Sequence, residues 1–225
     1  LNLRILPAGQ PAVEVRDRFG EVEALSGWNL NDILRGDDIF PSTVGGGGFI
    51  GCDALDAAGV ARIAGLNTLV TPDMLTVDSA TLAANSTTNF CLLTGNVWGD
   101  GNILLGGSGS DLIEGRGAND IIDGDRYMNV RLSVRNNLGA EIGSTDLMEH
   151  AALSGTFGAG TIGMTLQQAV FAGLVDPGNI FIVREILSNP GPSDVDTALF
   201  SGASADYLVT ANPNGSITAV SYTHL

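Results

Sequence analysis

Asp111 and Asp120 lie nine residues apart, and Asn102 stands nine residues before Asp111. Residues 104–126 read LLGGSGSDLIEGRGANDIIDGDR, with glycine recurring at 106, 115 and 124 in the same register. Asp and Asn side chains offer hard oxygen donors, and glycine lets the carbonyls of a tight turn crowd toward one point. An all-oxygen, flexible cage of that kind suits Ca²⁺ better than Mg²⁺, which demands a tighter octahedron. These residue types therefore point to cation binding.

Cut in nines, the stretch reads VWGDGNILL (97–105), GGSGSDLIE (106–114), GRGANDIID (115–123) and an opening GDR at 124. The sixth position is Asn102, Asp111 and Asp120, and the eighth is Leu104, Ile113 and Ile122. This follows the nonapeptide G-G-x-G-x-D-x-U-x, which the middle copy satisfies at every specified position. The glycine half must turn sharply, and the x-U-x half is a very short strand whose eighth residue points inward. Two nonapeptides complete one coil of a flattened right-handed spiral, so each repeat stacks on the next but one. The turns then fall in two columns, with Asp111 and Asp120 facing opposite ones.

The candidate metal ligands follow from that register. Gly106, Gly107, Gly109 and Asp111 belong to the complete copy, with Gly115, Gly117, Asp120 and Asp123 in the next. Gly124 and Asp125 open a further turn, and Asn102 precedes the block. An earlier stretch, GWNLNDILRGDD at 27–38, keeps half the signature and adds Asp32 and Asp37. Departures stand at both ends of the complete copy: Arg116 and Ala118 replace glycines, and Val97, Trp98 and Asn102 replace the usual residues. The site around Gly107, Gly109 and Asp111 is the best formed.

The run GGSGSDLIEGRGANDIIDGD resembles the RTX, or haemolysin-type, calcium-binding repeat family. That resemblance implies a calcium-dependent β-roll in a secreted bacterial protein, exported unfolded from a calcium-poor cytosol and folded outside. With the flanking RYMNVRLSVR, the arrangement also looks like the region downstream of animal-type haem peroxidase domains in large secreted bacterial proteins. No residue matches a peroxidase haem ligand or distal base, so the resemblance places any such chemistry elsewhere in the parent chain. Two rival readings are a non-catalytic part of a haem peroxidase and an adhesive, partner-binding surface.

The composition agrees with cations as partners. The 225 residues carry 25 acidic against 10 basic side chains, a formal net charge of −15, which repels nucleic-acid backbones and anionic membranes. No apolar run approaches the ~20 residues of a membrane-spanning helix, and no basic-then-apolar leader is visible. The starting LNLRIL and the ending SITAVSYTHL read as cut mid-element, so the rest of a larger parent chain is expected as a partner. SYTHL fits no pattern around it and reads as a scar.

Other motifs carry less. Cys52 and Cys91 form a disulfide in an oxidising compartment or serve as small buried apolar groups. With His150 and His224 they do not supply the ligand spacing of zinc. GGGFIG (46–51) satisfies GxGxxG without a strand–turn–helix context and reads as a glycine loop. RGD at 35–37 already has a place in the nonapeptide register. Asp146 and Glu149 before His150, and Thr165 with Gln168, resemble helix capping boxes. No nucleophile elbow, HExxH, P-loop or acid/base pair occurs, so no catalysis is expected of this segment.

The elements that must position these residues are mainly β with short helices. The expected architecture is a short parallel β-roll with a mixed helical and loop insertion and a C-terminal β-hairpin. Strands and a first partial turn occupy 1–38, an insertion 39–92, the roll 93–136, short helices and loops 137–192, and a truncated hairpin module 193–225. Residues 22–38 and 93–129 are expected to stack together. RYMNVRLSVR alternates as a strand does and is expected to extend the roll and cover its open end. DYLVTANPNGSITAV reads as a hairpin turning at NPNG.

Overall fold

The computed structural model describes residues 24–38, 54–79, 93–99 and 101–222. The glycine loop at 46–51, Cys52, Cys91 and His224 lie outside the described residues. In chain order, β1 (Ala24–Ser26) and β2 (Ile33–Arg35) precede β3 (Leu55–Asp56), helix α1 (Ala57–Ala61), β4 (Val77–Asp78) and β5 (Asn96–Trp98). Three short strands follow, β6 (Ile103–Leu105), β7 (Leu112–Glu114) and β8 (Ile121–Asp123), then the long β9 (Arg126–Arg135). The remainder holds β10 (Glu141–Thr145), β11 (Ser154–Gly155), α2 (Leu166–Phe171) and β12 (Ile180–Ser188). Last come β13 (Thr197–Leu199), β14 (Tyr207–Ala211) and β15 (Ile217–Ser221). The described residues are thus mainly strand with a few short helices.

Two compact units share the chain discontinuously. One comprises 1–45, 100–125 and 190–225; the other comprises 46–99 and 126–189.

In the first unit the short strands form two parallel sheets of three. One has the order β1-β6-β8, the other β13-β7-β2. Ile103 pairs with Ile121, eighteen residues on, and Ala24 pairs with Ile103 from the other side. Ile33 and Thr197 flank Leu112 in the second sheet. The small core between them is built from eighth-position side chains: Leu34, Leu104 and Ile113 are buried, with Leu25 and Ile122 packed against them. Period two puts the middle side chain of each short strand on the face opposite its neighbours, and in β6 those neighbours, Ile103 and Leu105, are buried as well. Ile33, one residue before Leu34, is 66% exposed.

β13 was not foreseen in this stack. Residues 197–199 lie far from the glycine-rich block, yet they pair with β7 in register with β2 on its other edge. The hairpin β14–β15 forms as expected, with Ala211 opposite Ile217 and a turn between them.

The second unit is antiparallel. Its four-stranded sheet has the order β11-β10-β9-β12, and it packs Val134 with Phe157, Leu166, Ala169 and Val175. RYMNVRLSVR is therefore a strand, as its alternation indicates, but it pairs with β10 and β12 and not with the short parallel strands. Alternation fixes which face is buried and leaves the neighbour open. Residues 137–192 likewise hold two substantial strands, β10 and β12, where short helices and loops were expected. α2 begins with the expected capping box: Gln168 N donates to Thr165 Oγ1, and Thr165 N donates to Gln168 Oε1. Around His150 there is a turn and no helix, and His150 Nδ1 lies 2.7 Å from Asp146 Oδ1.

Ladder pairing within this unit brings the ends of its segments together. Arg126, the first residue of β9, pairs with Ser188, the last of β12. Leu55 likewise pairs with Trp98. The ends of 126–189 thus lie side by side.

Candidate cation site

Nonapeptide turns are held together by their sixth residues. Asp32 N donates to Asp111 Oδ1 at 2.7 Å, across 79 residues of sequence. Asp111 N donates in turn to Asp196 Oδ1 at 2.9 Å, across 85 residues. In the opposite group of turns, Asp37 N donates to Asn102 Oδ1 and Asn102 N to Asp120 Oδ1, each at 2.9 Å. Each carboxylate or amide accepts from the backbone of the neighbouring turn, so the sixth position fixes how the turns pair.

The first and sixth residues of each turn are in contact. A Cβ on Gly106 would overlap Asp111 Oδ2, and one on Gly115 would overlap Asp120 Oδ2. Only glycine leaves the carboxylate that space. Gly36 stands in the same relation to Asn102, and Gly124 to Asp196. Two turns are therefore split by the excursions into the second unit, with the first half supplied before the excursion and the sixth residue after it.

Backbone conformation is shared by the intact turns. Gly107 and Gly109 have φ of 104° and 127°, and the departures Arg116 and Ala118 adopt positive φ as well, 77° and 68°. Left-handed backbone costs a non-glycine residue roughly 1–2 kcal/mol. The stack imposes the turn even where the sequence resists it.

The residues expected as ligands fall into two groups of hydrogen-bonded turns. Asp32, Gly106, Gly107, Gly109, Asp111, Gly124 and Asp125 fall in one; Asp37, Asn102, Gly115, Gly117 and Asp120 fall in the other. Asp123 Oδ1 accepts from Asp125 N at 3.1 Å. Asp111 is the most deeply placed, 2% exposed, and its Oδ2 has no hydrogen-bond partner. A buried acceptor without a partner costs about 1–3 kcal/mol, and more when charged. Burial pushes the Asp111 carboxyl above its ordinary range, and the neighbouring carboxylates of Asp196, Asp32 and Asp194 push it further, against the opposing pull of the Asp32 N–H. Asp125 is raised for the same reasons, by burial and by Asp196, Asp123 and Asp194.

Among the described residues, no three His, Cys, Asp or Glu side chains converge closely enough to hold a metal by themselves. A cation here would need backbone oxygens as well. The Gly124 carbonyl oxygen supplies one, since it lies 2.6 Å from where a Gly106 Cβ would be, beside Asp111 Oδ2. The donor set is thus all oxygen, which fits Ca²⁺ and excludes the sulfur and imidazole sites of softer metals.

Asp194 and Asp196 escaped the sequence reading. Asp194 Oδ2 accepts from Gly109 N at 3.0 Å and from Gly191 N at 2.7 Å. The only sequence signal was a degenerate nine, GPSDVDTAL at 191–199, with glycine first, Asp196 sixth and Ala198 eighth.

No protein-family model matches the chain, and no curated protein or solved structure does so. The site must be judged on its own chemistry. No helix among the described residues is long and apolar enough to cross a membrane.

Proposed function

We propose that the parallel-strand unit is a calcium-binding β-roll module of a secreted bacterial protein, folded and stabilised by extracellular Ca²⁺. The observation that carries this reading is Asp111 Oδ2, a carboxylate oxygen buried without a partner among other carboxylates. Asp111 Oδ1 is met by Asp32 N, and a purely structural role would have Oδ2 met as well. Supporting it are the eighteen-residue pairing of Ile103 with Ile121 and the core of eighth-position side chains, which are what two nonapeptides per coil require. The RTX resemblance supplies the location and the export route.

When bound, Ca²⁺ supplies positive charge that offsets the mutual repulsion of the turn carboxylates. Asp111 Oδ2 and the carbonyls of the glycine-rich turns would hold it, and Gly106 keeps the space open. Because the unfolded chain has no such cage, binding free energy becomes folding free energy. Extracellular calcium modules bind with Kd of about 10⁻⁴–10⁻³ M, which separates a calcium-poor cytosol from the outside.

Calorimetric Ca²⁺ titration followed by circular dichroism tests the proposal. Heat of binding and a gain of β signal are expected; neither appearing by ~10 mM, well past that affinity range, ends the reading.

A further inference from the structure

The split turn formed by Gly124–Asp125 and residues 191–196 has no intact repeat in the sequence, yet it faces Asp111 Oδ2, which has no partner among the described residues. Asp111 Oδ2 and the Gly124 carbonyl oxygen both border the space beside Gly106, and Asp111 is 2% exposed. Asp196 Oδ2 borders Gly124 as Asp111 Oδ2 borders Gly106. Asp196 therefore occupies the sixth position of a turn whose first position is Gly124. Asp194 closes the same turn from the other side through Gly109 N and Gly191 N. Asp123 and Asp125 add charge of the same sign nearby.

We propose that the cation served by Asp111 is shared with this split turn, with Asp196 and the Gly124 carbonyl as further members of its site and Asp194 bracing the turn through Gly109 N and Gly191 N, and that its binding seats residues 191–199 beside the 106–111 turn. The inference rests on the calcium reading above and adds a partner to it: the segment that supplies β13. Beside the β13–β7 pairing and the Gly109 N–Asp194 Oδ2 bond, three further contacts hold that segment to the 106–114 repeat. Thr197 N donates to Asp111 O at 2.8 Å, Asp111 N donates to Asp196 Oδ1, and Val195 N donates to Ser110 Oγ at 3.0 Å. Two of the three run through the backbone of Asp111 itself. Without a cation, the gathered carboxylates of Asp111, Asp194 and Asp196 oppose that seating. With one, the same carboxylates draw the segment down. The ion then works as a clasp, joining residues on both sides of the 126–189 excursion.

The test uses the full chain, with hydrogen exchange and calorimetry in Ca²⁺ and in chelator. Protection of the Thr197–Leu199 amides is expected to rise on adding Ca²⁺, while amides of the β9–β12 ladder stay unchanged and report on folding. Asp196→Asn keeps an oxygen that can accept from Asp111 N but loses the charge. It is expected to weaken Ca²⁺ binding about tenfold, since ligand charge tunes affinity in such sites, and to lose the calcium-dependent protection at 197–199. Asp125→Asn serves as a second variant should Asp196→Asn misfold, with a smaller weakening in the same direction. Wild-type titration curves in both variants, or 197–199 equally protected in chelator, overturn the clasp and leave the calcium module standing. Absence of any Ca²⁺ heat in the unaltered chain overturns the calcium module itself.

Discussion

The two units handle their carboxylates in opposite ways. In the antiparallel unit, Arg131 lies between two acids, 2.7 Å from Glu141 Oε2 and 2.9 Å from Glu185 Oε1. Ser133 Oγ donates to Glu141 as well, and Asn129 Nδ2 to Glu185. Those donors hold the Glu141 carboxyl below its usual range. In the parallel unit, Asp111 has carboxylates for neighbours and an oxygen with no partner. The antiparallel unit meets these acids with donors from the chain, and in the parallel unit the proposed calcium would take that part. Asp111 Oδ2 left open, beside acids that are paired elsewhere, is the contrast on which the calcium proposal rests.

The largest expected contrast comes from calcium itself. At about 100 times Kd, one site stabilises the folded state by ~2.7 kcal/mol. Differential exchange should place that gain in the short parallel strands, and an equal gain in the β9–β12 ladder would erase the distinction. Asp111→Ala should abolish most of the gain, and Asp37→Ala, in the other group of turns, should weaken it less; titration of both variants ranks them. Arg131→Met is the counterpart in the antiparallel unit. It strands two half-exposed carboxylates and should cost about 1 kcal/mol whether or not Ca²⁺ is present, read by denaturant melts.

Acidity should move the units in opposite directions when no calcium is present. Asp111 and Asp125 are raised by burial and by Asp32, Asp123, Asp194 and Asp196. Folding therefore favours their protonated forms, and their contribution is present at low pH and lost as pH rises through the raised values. Glu141 is lowered, as is Asp56, chiefly by the Gly59 N–H. Their contribution is present above the ordinary carboxylate range and lost as pH falls through the lowered values. Exchange across pH 3–6, roughly the carboxylate range, should show the parallel strands gaining protection as the antiparallel ladder loses it. Parallel behaviour in both units would remove the electrostatic basis of the comparison.

The smallest effect sharpens the turn geometry. Arg116→Gly or Ala118→Gly relieves positive φ and should stabilise the chain by about 1 kcal/mol. Gly107→Ala should do the reverse, both from its φ and because a Cβ there would overlap the Trp28 carbonyl. Thermal melts of the three variants decide it.

Much of the parallel unit was legible because its chemistry is local. Nine consecutive residues name the turn, the sixth-position acid and the inward Leu or Ile, and Leu34, Leu104 and Ile113 form the core that pattern requires. Asp196 was barely legible because the glycine it packs against, Gly124, is distant in sequence, and the consecutive nine at 191–199 keeps little of the signature. The strand character of 126–135 was legible from alternation, but its partners were not, since β10 and β12 carry no signal naming β9 as their neighbour. The helix expected at Asp146–Glu149 is a turn in which Asp146 Oδ1 accepts from Leu147 N and lies against His150. The acid serves a local turn instead of a cap.

The pairing of Arg126 with Ser188 sets an order of events. Holding Gly124 near Asp196 across a free chain would carry a loop-closure cost that grows with its length. The antiparallel ladder has already met that cost by bringing its own ends side by side. The second unit should therefore fold first and calcium act second, so that the ion locks a junction prepared for it. Stopped-flow folding with Ca²⁺ added at increasing delays would reveal this sequence in time, as a calcium-independent phase preceding a calcium-dependent one.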